Sequence, residues 1–274
     1  MQFSCIFRKQ IGYLSFWGGR MRIISLQSGS NGNCIYVESA GTRLIFDAGI
    51  SGAKAKTRLA ERQIDISSVD GLFISHDHSD HSDCMGILHR KFGIPVWVTQ
   101  KTHQTVLERK NIGSIEKLTH FRSGHTIKIK DLTIETVPTP HDAVDGVFFI
   151  VDDGAVRFGI MTDLGHVFHE LEEAVKTVDA LILESNYDPI LLENCDYPEY
   201  TKSRIAGKNG HISNHEAATL IQSSGKRLRW VCLGHISEHS NNTSRLMQTH
   251  KKVLKDKLPI HIASREGCSK IFQL

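Results

Sequence analysis

The densest group of chemically active side chains is a run of histidines and aspartates at residues 75–81. The run is Ser-His-Asp-His-Ser-Asp-His, and its histidines are His76, His78 and His81. Imidazole nitrogens and carboxylate oxygens bind Zn²⁺, Mn²⁺ and Fe²⁺. Because His76 and His78 are two residues apart on an extended segment, both can turn toward one cation, while Asp80 and His81 can reach a neighbouring one. A polar loop of solvated histidines is the alternative, and it leaves so many imidazoles in so short a run unexplained.

Further candidate ligands follow apolar runs elsewhere in the chain. One short run cannot complete the coordination of two cations, so other segments must supply the rest. His141 follows Val-Pro-Thr-Pro, Asp163 follows Ile-Met-Thr, and His235 follows Cys-Leu-Gly. A single polar residue at such a place is usually structural, but three of them after the histidine run favour metal ligands.

Several strands must end at one place to bring these side chains together. Apolar runs bounded by Gly, Asn or Pro predict strands at 22–27, 34–39, 43–49, 71–75, 95–99, 180–185 and 228–234, with a strand-dense stretch over 117–162. Helical patterns are predicted at 52–63, 84–91, 168–177, 213–222 and 241–254. Hairpin turns are predicted at Ser123–Gly124 and Asp153–Gly154. This order favours an α/β (α+β) fold with two packed mixed sheets and helices outside, rather than one parallel sheet.

Composition narrows the class of protein further. The chain has 274 residues, of which 40% are hydrophobic and 23% charged, so it can bury a core and is not disordered. No run approaches the ~20 apolar residues that cross a membrane, and we expect no membrane partner. The six cysteines form no Cys-x-x-Cys pair, which predicts free thiols and a cytoplasmic location. We expect residues 1–20 to be an unstructured or non-essential extension and 21–274 to form a single domain.

The ligand pattern resembles that of the metallo-β-lactamase superfamily. The resemblance covers the aspartate after Arg-Leu-Ile-Phe, the histidine run and the three later strand-end residues. It implies an αββα sandwich with a dinuclear site at one edge. It also implies that His76, His78 and His141 hold one metal, that Asp80, His81 and His235 hold the other, that Asp163 bridges them, and that Asp47 braces the histidine run. No cysteine occupies a ligand position, which favours the phosphodiesterase-type branch over β-lactam hydrolysis.

A finer resemblance is to the YycJ/WalJ family. It rests on Ser-Gly-Ser-Asn-Gly-Asn at 28–33, Leu-Glu-Ser-Asn-Tyr-Asp at 183–188, Gly-His-Ile-Ser-Asn at 210–214 and Gly-His-Ile-Ser at 234–237. This family is regarded as 5′-to-3′ exonucleases on double-stranded DNA that are linked to repair. The resemblance implies two Zn²⁺ or Mn²⁺ ions, with Fe²⁺ as an alternative, and DNA ends as the partner. Asp80 is the candidate general base, and Glu184 with His211 is the candidate proton-donating pair.

Substrate contacts are less specific in the sequence. Ser30, Asn31 and Asn33 lie in a Gly-rich loop that could face a phosphate or could be only a tight turn. Arg204 could bind a neighbouring phosphate or could be solvated. Basic runs at 54–62, 226–229 and 251–257 could contact DNA or could be solvated faces. The net charge of +3 permits a nucleic-acid partner without requiring one.

Two other functions remain open from the sequence alone. One is a small-molecule hydrolase of the same fold, such as a cyclic phosphodiesterase, lactonase or thioesterase, which would have a lidded apolar pocket instead of an open basic channel. The other is a metal-bound regulatory or scaffold protein without turnover. The presence of Asp80, Glu184 and His211 argues against the scaffold.

Overall fold

A computed structural model describes residues 21–255 and 257–274, and its strands form two sheets that pack face to face. The predicted extension at residues 1–20 lies outside the described residues. The first sheet has the order β14-β1-β2-β3-β4-β5-β6. Its strands are β1 (Arg22–Gln27), β2 (Cys34–Ser39), β3 (Thr42–Phe46), β4 (Gly71–Phe73), β5 (Val96–Thr99), β6 (Leu118–Phe121) and β14 (Phe272–Gln273).

The second sheet has the order β13-β12-β11-β10-β9-β8-β7. Its strands are β7 (Thr126–Ile129), β8 (Leu132–Pro138), β9 (Val147–Asp152), β10 (Arg157–Met161), β11 (Ala180–Glu184), β12 (Trp230–Gly234) and β13 (Ile260–Ile262). Both sheets are mixed, because β3 to β6 and β10 to β13 pair in parallel while the other neighbours pair antiparallel.

Helices cover the outer faces of both sheets. The helices are α1 (Gly52–Ala60), α2 (Ser79–Ser82), α3 (Met85–Phe92), α4 (Gln100–Arg109), α5 (His169–Thr177), α6 (Pro189–Asn194), α7 (Glu199–Ile205), α8 (Asn214–Ser224) and α9 (Thr243–Leu254), with a 3₁₀ turn at Ile66–Ser68. The apolar faces of α1, α3 and α4 pack on the first sheet, and those of α5, α8 and α9 pack on the second. This confirms the predicted αββα layering.

The core between the sheets is built from alternate residues of the strands. Four aromatic rings occupy its centre. Phe73 stacks on Trp97 with a centroid separation of 5.2 Å, and Phe46 lies 5.1 Å from Phe149 of the opposite sheet. These buried rings fix the sheets against each other, and so they also fix the strand ends that carry the polar residues.

The turn predicted at Asp153–Gly154 is confirmed, because it joins β9 to β10 as an antiparallel hairpin. Two other local predictions differ from the structure. The hairpin predicted at Ser123–Gly124 is wrong, because β6 and β7 lie in different sheets and the chain crosses between them there. The helix predicted over 52–63 ends at Ala60, and Gln63 has a φ of +60°, which is left-handed and cannot continue a helix.

Among the described residues, no helix has both the length and the apolarity to cross a bilayer.

The segment after β3 packs closely against the histidine run. Gly49 donates its N–H to the carbonyl oxygen of Asn33 at 2.9 Å, and Asn33 in turn donates its own N–H to the carbonyl of Asp80 at 2.7 Å. A Cβ at Gly49 would lie 1.7 Å from the carbonyl oxygen of Asp80, so only glycine allows these segments to approach so closely.

We predict that Gly49→Ala strongly destabilises the fold, because the added methyl must displace the backbone of the histidine run. The expected loss is about 3 kcal/mol of unfolding free energy, measured by urea denaturation. Gly41→Ala is the matched control, because Gly41 has a φ of +78° but no atom within 4 Å of the added Cβ. It should lose only the left-handed backbone cost of about 1–2 kcal/mol. Equal losses in the two variants would contradict the packing argument.

Candidate metal centre

The predicted ligands converge where the parallel strands of both sheets end. Asp47 directly follows β3, and the histidine run begins shortly after β4. In the second sheet, Asp163 and His235 follow β10 and β12. Asp47, Asp163 and His235 have φ values of +65°, +57° and +49°, so the chain turns sharply at each. Aspartate and histidine tolerate this conformation better than most residues.

One group of possible ligand atoms consists of three imidazoles. His78 Nδ1 lies 3.3 Å from His141 Nε2, and the candidate ligand atoms of His76, His78 and His141 all lie within 4.8 Å of one another. His76 and His141 are buried, whereas the side chain of His78 is 26% exposed. The group is therefore open to solvent on the side of His78.

A second group lies beside the first. Asp80 Oδ2 is 3.3 Å from both His81 Nε2 and His235 Nε2. Asp163 lies between the two groups, with Oδ2 3.2 Å from His81 Nε2 and Oδ1 3.5 Å from His141 Nε2. The structure thus brings together all seven residues that the sequence predicted as ligands.

The second ring nitrogen of most of these histidines has a polar neighbour that fixes the ring. The pairs are Asp47–His81 at 2.8 Å, Ser75–His76 at 2.9 Å, Gly210 carbonyl–His141 at 2.8 Å and Glu184–His235 at 3.0 Å. Asp47 also accepts the N–H of Ser75 at 2.8 Å, so its carboxylate contacts both ends of the histidine run. Such outer contacts orient metal-binding imidazoles and set which nitrogen faces the ion.

The donor set fits divalent cations. His76 Nε2 is buried without a hydrogen-bond partner, and Asp163 Oδ2 is buried with only its ion-pair contact to His81, although both point into the cluster. Unpaired buried polar atoms are costly, and a cation would satisfy both. Imidazole and carboxylate ligands without a thiolate suit Zn²⁺, Mn²⁺ and Fe²⁺.

The pKa shifts show how strongly these groups interact. Burial disfavours the charge on His235, but Asp163 and Asp80 overcome it and raise the pKa of this imidazole to about 10. Burial likewise opposes the charge on Asp163, yet His235 and His81 hold its pKa well below the usual range. A bound cation would replace the protons on these imidazoles, since metal-binding histidines must be neutral.

Glu184 and His211 form a pair beside the cluster. Glu184 is fully buried, and its Oε1 lies 2.7 Å from His211 Nδ1 and 3.0 Å from His235 Nδ1. Its Oε2 accepts the N–H groups of Leu164 and Ile212 at 3.2 and 3.1 Å. Burial raises the pKa of Glu184, but His211 and His235 outweigh burial and lower this pKa to about 2. Glu184 therefore orients two imidazoles as a fixed carboxylate.

Of the three loop residues predicted to contact phosphate, one lies in the metal-ligand cluster and two lie outside it. Asn33 joins the cluster, where its Nδ2 donates to Asp80 Oδ2 at 3.1 Å and lies 2.9 Å from His81 Nε2. Ser30 and Asn31 lie in an exposed loop and bond to Arg265, at 3.2 Å from its Nη1 and 3.1 Å from its carbonyl oxygen respectively.

Arg204 binds Asp142, a residue that the sequence analysis did not single out. It donates two hydrogen bonds to Asp142, at 2.5 and 3.0 Å. Asp142 Oδ1 in turn lies 3.6 Å from His78 Nε2 and 3.4 Å from His141 Nε2. Asp142 is therefore the carboxylate nearest the outer nitrogen of His78. Its position directly after His141 was the available signal.

The comparisons with known proteins agree with this geometry. Residues 42–236 match the family model described as a β-lactamase superfamily domain. The chain is 35% identical over 221 residues to a protein named exodeoxyribonuclease WalJ from Streptococcus pneumoniae, covering 79% of this chain and 81% of the relative. It is 30% identical over 234 residues to one named exodeoxyribonuclease YycJ from Bacillus anthracis, covering 85% and 88%.

A solved structure shares the fold at low identity. The metallo-β-lactamase fold protein YhfI from Bacillus subtilis superposes with a TM-score of 0.70 at 16% identity, over 93% of this chain and all of that one. At this identity the likeness bears on the fold alone, and it matches the two-sheet architecture described above.

We predict that Asp142→Asn weakens metal binding while the fold is retained. An amide holds His78 less firmly than a carboxylate, and loss of such outer partners typically costs 10–100-fold in affinity. Competition with a chromophoric chelator should therefore give roughly a 10-fold weaker dissociation constant for Zn²⁺. Asp145→Asn is the control, since Asp145 lies in the same loop without an ion pair among the described residues. Unchanged affinity in Asp142→Asn would contradict the role of this carboxylate.

Proposed function

Since this chain belongs to the β-lactamase superfamily, we propose that it is a metal-dependent hydrolase of phosphodiester bonds in DNA. Its finer activity would be that of a 5′-to-3′ exonuclease on double-stranded ends. The names of its relatives support a deoxyribonuclease. The arrangement of Asp80, Glu184 and His211 supports the chemistry.

Two divalent ions, Zn²⁺ or Mn²⁺, would be held by the two groups of ligands. His76, His78 and His141 would hold one ion, and Asp80, His81 and His235 would hold the other. Asp163 would serve both, because its two oxygens face imidazoles of both groups. Paired cations of this kind clamp a phosphate and lower the pKa of a bound water.

The observation that carries the proposal is the pair of His211 with Glu184. His211 is not one of the seven proposed metal ligands. The centre of its ring lies 5.1 Å from that of His141 and 5.2 Å from that of His235, and its side chain is 13% exposed. A positioned imidazole beside a phosphate site can protonate a leaving oxygen. Hydrolysis of a phosphodiester needs this step because an alkoxide is a poor leaving group.

The remaining residues would divide the reaction between them. Asp80 is the most exposed carboxylate of the cluster, with 18% of its side chain accessible, and would take the proton of the attacking water. The oxygen of that water forms the new bond to phosphorus. The bond from phosphorus to the leaving oxygen breaks, and this oxygen takes its proton from His211. Glu184 orients His211 throughout through its contact at Nδ1.

The direct test uses purified protein loaded with Mn²⁺ or Zn²⁺ on end-labelled substrates. Duplex DNA labelled at one 5′ or 3′ end, single-stranded DNA and RNA should be compared with a cyclic nucleotide. Release of nucleotides from the 5′ end of the duplex would support the proposal. Turnover of only the cyclic phosphodiester would instead make the protein a small-molecule hydrolase, and no turnover of any phosphodiester would refute the proposal.

We predict that Asp163→Ala empties both metal sites. Its carboxylate faces both groups of imidazoles, so its loss removes a ligand from each ion. Metal analysis after reconstitution should find two ions per wild-type chain and a loss from both sites in the variant. If one ion remains at full occupancy, Asp163 does not serve both sites.

We predict that His211→Ala retains both metals but loses roughly 10²-fold or more in turnover on DNA, because the leaving oxygen is no longer protonated. A nitrophenyl phosphodiester has a better leaving group and should be affected much less. Measuring kcat on both substrates separates this role from substrate binding. Equal losses on both would indicate misplaced substrate, and loss of metal would indicate that His211 is a ligand.

Glu184→Gln tests the proton donor less specifically than His211→Ala does. Glu184 also contacts His235 and accepts two backbone N–H groups, so an amide there disturbs a candidate ligand as well as the proton donor. Metal content should therefore be measured with turnover, and a turnover loss without metal loss would assign the effect to His211.

A further inference from the structure

Two arginines differ from all the others in the described part of the chain. Every other arginine there either donates a side-chain hydrogen bond to a carboxylate or carbonyl oxygen or, as Arg229 does, forms an ion pair with a carboxylate. Within residues 21–255 and 257–274, Arg122 and Arg245 have neither an ion pair nor a side-chain hydrogen bond. A guanidinium left without a partner is available to bind an anion.

Arg122 lines a groove beside the first sheet. This groove, here the Arg122 groove, has a volume of about 610 Å³ and is lined by Gln100, Lys101, Gln104, His120, Phe121, Arg122, Ser123 and Asp145. Lys101 lies in the first turn of α4, and Arg122 directly follows β6. Because β5 and β6 run parallel to β4, this groove opens at the same edge as the histidine run.

Arg245 lines a groove on the other flank. This groove, here the Arg245 groove, has a volume of about 380 Å³ and includes Asp188, Ile190, His215, Arg245 and Lys252 in its lining. His215 and Arg245 lie in the first turns of α8 and α9, which begin at the edge where β12 ends and His235 follows. Asp188 is already engaged, because its carboxylate accepts the N–H groups of Ile190 and Leu191.

Charge alone does not single out these two grooves. A third groove of about 390 Å³, here the Lys226 groove, is lined by Lys226, Lys255 and Lys257, and no carboxylate lines it among the residues that the structure describes. It lies at the ends of α8 and α9, and so at the opposite edge of the sandwich, where β12 begins. Lysines at helix C-termini complement the helix dipoles, which explains them without a ligand.

We propose that Arg122 and Arg245 bind backbone phosphates of a nucleic acid on opposite sides of the metal centre. This inference rests on the proposed function and extends it, because it assigns the side chains that hold the nucleic-acid backbone away from the hydrolysed bond. Strands in a sheet are about 4.8 Å apart, so the end of β6 lies two strands, or about 10 Å, from that of β4. Three base-pair steps of about 3.4 Å cover this distance, which places Arg122 beside a phosphate a few nucleotides from the hydrolysed bond.

The charge of both grooves supports a chain of phosphates as the occupant. Each combines an arginine and a lysine with one aspartate, so each carries a small excess of positive charge. Contacts of this kind add affinity and salt dependence without sequence preference.

The test measures binding of the metal-loaded, full-length protein to a fluorescent 5′-phosphorylated duplex with phosphorothioate linkages that block hydrolysis. Anisotropy titrations from about 50 to about 200 mM salt give the slope of log K against log salt. Arg122→Gln and Arg245→Gln should each reduce this slope by about 0.9, and the double variant by about 1.8. Turnover of a nitrophenyl phosphodiester should be unchanged in all three, because this substrate reaches neither groove.

The matched control is Lys226→Gln with Lys257→Gln, which removes two positive charges from the Lys226 groove at the opposite edge. Binding in this variant should equal that of the wild type. Equal losses in the control and in the double arginine variant would reduce the effect to net charge and overturn the inference, as would a loss confined to one arginine. Hydrolysis of DNA by the wild type tests the proposed function separately: a wild type that cleaves DNA while both arginine variants bind normally refutes this inference alone.

Discussion

The contact between Asp163 and His81 crosses the sandwich, and the geometry of the site depends on it. Asp163 follows a strand of the second sheet, whereas His81 belongs to the run that follows β4 of the first. Their atoms lie 3.2 Å apart, and both side chains are almost completely buried. A buried carboxylate is tolerated only with positive charge or hydrogen-bond donors around it. His81 and His235 meet this need as cations, because the carboxylates raise the pKa of both imidazoles, and a divalent ion would meet it more fully.

The two sheets reach this arrangement through the same backbone pattern. In each, an antiparallel portion precedes a parallel one, and the change occurs at β3 in the first sheet and at β10 in the second. Each of these strands is followed closely by an aspartate with positive φ, Asp47 after β3 and Asp163 after β10. Their tasks differ, because Asp47 braces the histidine run from outside while Asp163 enters the cluster. The same left-handed backbone conformation thus directs an aspartate toward the site from each sheet.

The sequence predicted the cluster of histidines and aspartates because the signal of each residue is local. Each lies where an apolar strand ends, and parallel strands that end together bring such residues together. The layered fold followed from the same alternation of strands and helices. Strand partners were less predictable: Ser123–Gly124 resembles a hairpin turn, but nothing within it shows that the chain changes sheets there. The role of Asp142 depends on Arg204, which is 62 residues away, and no spacing encodes such a pair. The expectation for residues 1–20 stays a prediction.

The basic residues show most clearly that the sequence does not reveal which side chains are paired in the folded chain. From the sequence, the run at 54–62 could contact DNA or be a solvated face, yet Arg58 donates to the carbonyl oxygens of Leu26 and Glu266. Arg62 donates to that of Ser269, so this part of the run holds the C-terminal segment in place. A hydrogen bond to a charged group contributes about 1.5–3 kcal/mol, and an arginine already engaged must give this up before it can bind a phosphate. The density of positive charge along a sequence is therefore a weaker guide to anion binding than the absence of a partner in the folded chain.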